Sequence, residues 1–426
     1  MSAFAKVSAS RSRSLKATIS GIALLGASAL ILSGCATTEA TPEAGGDLSL
    51  KIGTILPQTG TLAVLGPPEF AGVDLAVADI NAAKAGISID VEHADSGDTT
   101  TDIATQSATK LLASNVSAII GAASSGVSKT FIDQVTQADV VQISPANTSP
   151  DFTDYADNGY YWRTAPSDVL QGRILGNKIV ADGATSVGIL YMNDAYGTGL
   201  ESNLKSTLEA NDVTISGEEI FEPASTDFNS AITSLLDSKP DALVVISFDE
   251  ITTIAEQLDS KGFDFSKLYG VDGNYGVITE ADTNVDIAGA QFTNPGVNAS
   301  DEFQDKLQAL VKTQGGEPLT VFSYASEAYD ATTLLALASL AGGDTSGATI
   351  KDNLQAVSEG GTECTSFADC AKLLTADADA DIDYTGLSGP ITFDAKGDPT
   401  EAYVSIYKYD KGNVTSWVEQ VYGKLS

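Results

Sequence analysis

The sequence predicts an α/β protein of two similar lobes, each built on a parallel sheet and joined to the other by a hinge of several strands. Three observations predict this. Strand-like and helix-like segments alternate from Leu48 onward, the alternation restarts near residue 167, and the last third adds elements that complete both lobes. About 380 residues follow Cys35, enough for two units of ordinary size.

The first series opens with a strand over 48–55. A helix follows over 67–85, where Phe70, Val73, Leu75, Val77 and Ile80 recur among acids and alanines at helical spacing. Strands over 87–91, 116–120 and 140–143 alternate with helices over 101–114 and 126–138. The second series reads as helices over 168–182, 195–210, 227–238 and 250–262, interleaved with strands over 186–191, 213–221 and 242–247. Helices over 301–313, 322–341 and 349–357 come next, then strands near 390–393 and 402–409. The expected division is a first lobe of 48–166 with 296–386 and a second of 167–295 with 387–426. A chain that crosses between lobes more than once makes a hinge.

Residues 1–34 read as an export signal. Lys6, Arg11, Arg13 and Lys16 precede an apolar run over 17–31, and Leu32-Ser33-Gly34-Cys35 closes it. That order is of the bacterial lipoprotein type, with Cys35 lipidated and 35–47 a flexible tether rich in Thr, Ala, Glu, Pro and Gly. It places the folded part outside the cytoplasmic membrane, anchored to its outer face. The alternatives are an ordinary cleaved signal or a membrane span, but a span needs about 20 apolar residues and this core is shorter.

Taking the four cations of residues 1–34 from the chain's 23 Lys and Arg leaves 19 against 57 Asp and Glu, a net −38. So acidic a surface argues against nucleic acid and anionic lipid headgroups as partners. Two cysteines remain, Cys364 and Cys370. Their spacing in an exported chain favours a small disulfide-closed loop over a metal pair, since the one histidine, His93, lies far away in sequence. Asp377, Asp379, Asp381 and Asp383 alternate without the glycine and distal glutamate of a calcium loop, so they read as a solvated acidic loop.

Catalytic signatures are missing. The sequence has no Gly-Lys-Ser/Thr phosphate loop, no His-Glu-x-x-His and no Gly-x-Ser-x-Gly, and Gly197-Thr198-Gly199 lacks the third glycine of a dinucleotide fingerprint. His93 reads as a surface or strand-edge residue. Binding is better served by the loops at the carboxyl ends of the strands. Gly121-Ala122-Ala123-Ser124-Ser125-Gly126 leads into a helix whose N-terminal amides suit a carboxylate, although Ser124 or Ser125 could be only a helix cap. Ser144-Pro145-Ala146-Asn147-Thr148-Ser149-Pro150 displays amides and a hydroxyl at the same rim.

Several segments in order resemble the branched-chain-amino-acid-binding family of extracytoplasmic solute receptors, of the type I periplasmic binding fold. They are Ile52-Gly53 with Gln58-Thr59-Gly60, residues 76–83, residues 143–150, Trp162-Arg163-Thr164 before Gln171-Gly172, and Tyr196-Gly197-Thr198-Gly199-Leu200. The resemblance runs from about residue 50 to 290 and more loosely to Lys408.

It implies the ligand-capturing component of an ABC importer, a monomer partnered by a permease and its ATPase subunits, with no cofactor, no metal and no enzymatic activity. Its lobes close over an amino acid. Ser125 and Thr148 match hydroxyls that hold the α-carboxylate and orient the α-amino group, and Ala146 matches a position of backbone contacts. Tyr196 matches an aromatic of the second lobe, and Asp272 an acid set against the α-ammonium, although beside Gly273 it could be only a turn residue. Leu65 stands where leucine-binding members carry an aromatic, Phe248 where a tyrosine is usual, and Ser124 where some members have a disulfide-bonded cysteine. Amides, urea and aromatic or other small carboxylates therefore stay open as ligands. A sensor domain of the same fold and a surface enzyme are the other readings.

Overall fold

The computed structural model describes residues 47–377 and 379–425. The signal over 1–34, Cys35 and nearly all of the tether lie outside the described residues. Among those described, no helix is long and apolar enough to cross a membrane.

The first series runs β1 (Leu48–Leu56), α1 (Gly66–Ala83), β2 (Ile87–Asp95), α2 (Ile103–Ala113), β3 (Ala118–Gly121), α3 (Ser125–Thr136), β4 (Val141–Ser144) and β5 (Tyr161–Arg163). The second runs α4 (Asp168–Ala181), β6 (Ser186–Met192), α5 (Ala195–Ala210), β7 (Thr214–Phe221), α6 (Asn229–Asp237), β8 (Ala242–Ile246), α7 (Glu250–Ser260), β9 (Leu268–Gly270), α8 (Val277–Glu280) and β10 (Gln291–Pro295). The remainder comprises α9 (Asp301–Gln314), α10 (Ala325–Gly342), α11 (Gly347–Leu354), β11 (Thr362–Cys364), α12 (Phe367–Ala376), β12 (Ile382–Gly386), β13 (Gly389–Pro390), β14 (Glu401–Asp410) and β15 (Val414–Lys424).

The first sheet has the order β2-β1-β3-β4-β5 and is parallel throughout. The second reads β7-β6-β8-β9-β10 in parallel, then adds β14 and β15 antiparallel. The five parallel strands of each sheet thus share one winding pattern, the doubly wound type whose ligands sit where the strand order reverses. β11, β12 and β13 form a small third sheet.

Both faces of the first sheet are covered, so its strands are apolar throughout. Leu50 and Ile52 of β1 pack with α1 and α10 on one face, while Ile55 and Ile119 pack with Leu111 and Phe131 on the other. The run Ala242–Ile246 is buried at every position for the same reason.

Several boundaries differ from expectation, each for a local reason. α10 begins at Ala325 rather than 322 because Tyr324 takes a left-handed backbone, φ 62°, and ends the preceding loop. Residues 391–393 contribute only an isolated bridge, Phe393 to Pro399, instead of a strand. The Cys364–Cys370 segment is more ordered than a loop. Cys370 sits in α12, the two cysteines are joined with Cα atoms 5.4 Å apart, and both are buried. His93 lies on β2, an edge strand, where its ring nitrogens pair with Thr54 Oγ1 and Asp74 at 2.9 Å each.

Candidate functional site

The switch point of the first sheet lies between β1 and β3, and that of the second between β6 and β8. The loops leaving the carboxyl ends of these strands, and of β4 and β9, carry every ligand-binding residue expected from the sequence. Leu65 follows β1, Ser125 follows β3, and Ala146 and Thr148 follow β4. Tyr196 follows β6, Phe248 follows β8 and Asp272 follows β9. All seven are buried, and Leu65, Ala146, Tyr196 and Phe248 share one apolar cluster that spans both lobes.

On the first-lobe side, Ser124 caps α3 by accepting from Val127 N, so the cap reading holds for that serine. Ser125 Oγ accepts from Ser149 N at 3.3 Å and keeps its own proton to donate. The Ala146 amide donates to Ser144 Oγ at 3.2 Å, and Asn147 Nδ2 donates to Ala123 O at 2.7 Å, which ties the two loops together. Thr148 Oγ1 is buried without a hydrogen-bond partner among the described residues.

On the second-lobe side, Asp272 is gripped by three donors. Tyr196 Oη lies 2.6 Å and Gln171 Nε2 2.8 Å from Oδ1, and Tyr324 Oη lies 2.5 Å from Oδ2. The Tyr196 ring stacks on Phe248 with centroids 5.4 Å apart. Leu62, Leu65, Ala123, Ala146, Tyr196, Phe248 and Tyr324 belong to one apolar cluster spanning both lobes.

Three residues of this site were not singled out from the sequence: Asp168, Gln171 and Tyr324. Asp168 opens α4 and is fully buried, and neither of its carboxylate oxygens has a hydrogen-bond partner among the described residues. Gln171 Oε1 is likewise unpartnered. Burial, then the charge of nearby Asp272, pushes Asp168 well above the usual carboxylate range; Thr148 and Arg163 offset this only in part. Burial also raises Asp272, while the bonds from Tyr196, Tyr324 and Gln171 pull it back. Burial thus favours the neutral form of both acids, more strongly at Asp168, while the three donors to Asp272 favour its charged form. The sequence signal for Gln171 was the Gln171-Gly172 pair. Asp168 had none beyond its place at a helix start.

The arrangement is rich in acceptors. Among the described residues, the cation beside Asp168, Arg163, is committed to Asp398, with Nε 2.6 Å from Oδ1. Such a site complements a ligand that presents an ammonium group to the acids and a carboxylate to Ser125 and the α3 amides.

The rims meet outside this centre. Asp249 N donates to Thr61 O at 3.2 Å, Thr320 Oγ1 bonds Glu280, and Gly199 of α5 packs on Pro150. The lobes are closed on one another.

The chain belongs to the periplasmic-binding-protein family, whose model matches residues 49–413. This is a family of binding proteins, not enzymes, and the two parallel-sheet lobes are its type I architecture. A Leu/Ile/Val-binding protein of Rhizobium johnstonii is 26% identical over 374 residues, covering 86% of this chain and 93% of the relative. A substrate-binding protein of a chemotactic signal transduction system in Halobacterium salinarum is 25% identical over 377 residues, covering 85% and 88%. Among solved structures, the branched-chain amino acid transporter substrate-binding protein of Streptococcus pneumoniae, in complex with isoleucine, aligns with TM-score 0.70 at 25% identity, covering 88% of this chain and 99% of that one. An ABC-transporter solute-binding protein of R. palustris in complex with 4-hydroxybenzoate shares the fold, with TM-score 0.71 at 18% identity, covering 88% and 97%.

Proposed function

We propose that this chain is the lipid-anchored, extracytoplasmic solute receptor of an ABC importer. It captures an amino acid of branched-chain type, or a close analogue, between lobes 48–166 with 296–386 and 167–295 with 387–426, and it hands the solute to a permease. The observation that carries this reading is the buried carboxyl of Asp168, with Thr148 beside it and no cation bonded to it, next to Asp272 at the edge of an apolar wall formed by Leu65, Ala146 and Phe248. Two acids with no uncommitted cation favour a ligand bearing an α-ammonium. A benzoate would bring its charge beside Asp272 with no ammonium to offset it, which disfavours the aromatic acids bound by structural neighbours. The neutral, mainly aliphatic wall favours an uncharged side chain. The order of residues 1–35 supports the lipid anchor at Cys35.

A thermal-shift screen against amino acids, amides, urea and benzoates tests the assignment. A ligand that binds only the folded chain raises its melting temperature once its concentration exceeds Kd. A rise with an aliphatic amino acid is expected. A rise confined to ligands without an α-amino group overturns the ammonium site and keeps the receptor.

A second reading, a sensor that reports solute to a signalling partner, draws on the relative from the chemotactic system. The two part on whether deleting the chain abolishes uptake of the solute or only the response to it.

A further inference from the structure

Against β10, β14 and β15, and sharing Tyr324 and the loop after β9 with the solute cleft, lies a cavity of about 240 Å³. Tyr275 and residues of β10, β14 and β15 wall it from the second lobe. The loop before α10 and the first turn of that helix wall it from the other. Tyr275 and Tyr407 stack face to face with centroids 4.5 Å apart, and Trp417, half exposed on β15, stands at the wall. The ring of Tyr324 joins them, while its hydroxyl reaches Asp272 in the solute cleft.

Several polar groups of this wall are paired with one another. Asn294 Oδ1 accepts from Ser323 Oγ at 3.1 Å, and Asn298 Oδ1 accepts from Tyr407 Oη at 3.0 Å. Glu327 is 3% exposed and lines the cavity, and the hydrogen bond that supports its carboxylate comes from its own backbone amide. The carboxyl lies so close over the second crossover that a Cβ at Gly296 would collide with it. Burial, then Asp330 one turn along α10, pushes Glu327 up to about 8, and Glu69 of α1 sits behind it as a second buried acid. A carboxyl in this position lacks only a cation beside it.

We propose that this hinge cavity is a second binding site, separate from the solute cleft, for a small organic ammonium ion. Tyr275, Tyr324, Tyr407 and Trp417 line the space that the cation takes, and Glu327 supplies the countercharge. Aromatic faces attract such ions through their quadrupoles, and each is worth more where water is excluded. The chain's net charge of −34 raises the local concentration of cations of any kind, so selectivity has to come from the rings. The inference does not depend on the identity of the cleft solute.

The test is calorimetric titration of the full chain with tetramethylammonium chloride, against sodium chloride at matched ionic strength. One saturable site is expected. It should weaken at least tenfold in Glu327→Gln and in Trp417→Leu, whose half-exposed side chain can be removed without opening the core, and it should persist in Asp168→Asn. Near pH 8 the wild type should also release a proton on binding, seen as a dependence of the heat on buffer ionisation enthalpy, and Glu327→Gln should not. No saturable heat, an equal response to sodium, a site that survives both hinge variants, or a site lost in Asp168→Asn each overturns the proposal.

Discussion

Arg163 holds Asp398 with two parallel bonds, Nε to Oδ1 at 2.6 Å and a terminal nitrogen to Oδ2 at 2.7 Å, and both side chains are buried. Its other terminal nitrogen donates to the carbonyls of Asn147 and Ser149, at 3.2 and 2.7 Å, on either side of Thr148. One guanidinium thus fastens a cleft loop of the first lobe to the segment that leads into β14 of the second.

Arg163→Met leaves Asp398 buried and unpaired, a change that costs about 3–5 kcal/mol. It also frees the Thr148 loop. Chemical denaturation of Arg163→Met should show that loss, and solute affinity should fall with it. The double variant Arg163→Met/Asp398→Leu should recover stability without recovering affinity, because the carbonyls at 147 and 149 stay unheld.

Asp168→Asn keeps the shape of the cleft and removes the carboxyl that can take up charge beside an ammonium. A charge-assisted hydrogen bond contributes about 1.5–3 kcal/mol, so affinity for a solute with an α-ammonium should fall by about ten- to a hundredfold. Affinity for the same solute stripped of its amino group should rise instead. Titration of the matched pair of ligands against both proteins reads the difference directly.

Gly199 approaches Pro150 of the opposite lobe so closely that a Cβ would lie 2.7 Å from its Cδ. Gly199→Ala improves helix propensity in α5 by about 1 kcal/mol and at the same time props the rim open. The empty protein should melt slightly higher while solute binds more weakly. A lower melting temperature together with unchanged affinity would count against the closed rim.

Stability should depend on pH in a stated direction. Burial raises Asp194 and Asp249 to about 6 and Glu327 to about 8. In each case the folded chain holds a proton that the unfolded chain gives up, so the contribution is complete below the unfolded carboxylate value. It is lost as pH rises through about 6 and again through about 8. At the acid end, Asp241, held near 2 by Thr185 and Ser186, loses its contribution as pH falls through that value. The melting temperature should therefore be higher near pH 5 than at pH 8.5. Glu327→Gln should flatten the segment above pH 7 and leave the step near 6 in place.

The central strands were legible because burial on both faces makes them continuous apolar runs, as in Ala242–Ile246. β15 was not, since Val414, Trp417, Val418 and Tyr422 point outward on an edge and break the period of a half-buried strand. α12 was hidden by its cysteines, whose spacing reads as a loop when the helix around Cys370 is not visible. In the cleft, the residues that follow strand ends could be found from motif and position alone. Asp168 and Tyr324 could not, because each acquires its role from a partner more than 50 residues away in sequence, Tyr324 through its bond to Asp272 across the cleft and Asp168 through the nearby Asp272 of its own lobe.

The second sheet takes its two antiparallel strands, β14 and β15, from residues 401–424, far from the α4–β10 series that they complete. Arg163 in turn waits for Asp398. A ribosome delivers residues in order, so the first lobe lacks this partner, and the second its outer strands, until residues 398–424 have emerged. Late pairing of this kind has high contact order and is slow. Until then Arg163 and the edge of β10 stay without the partners that the folded chain gives them.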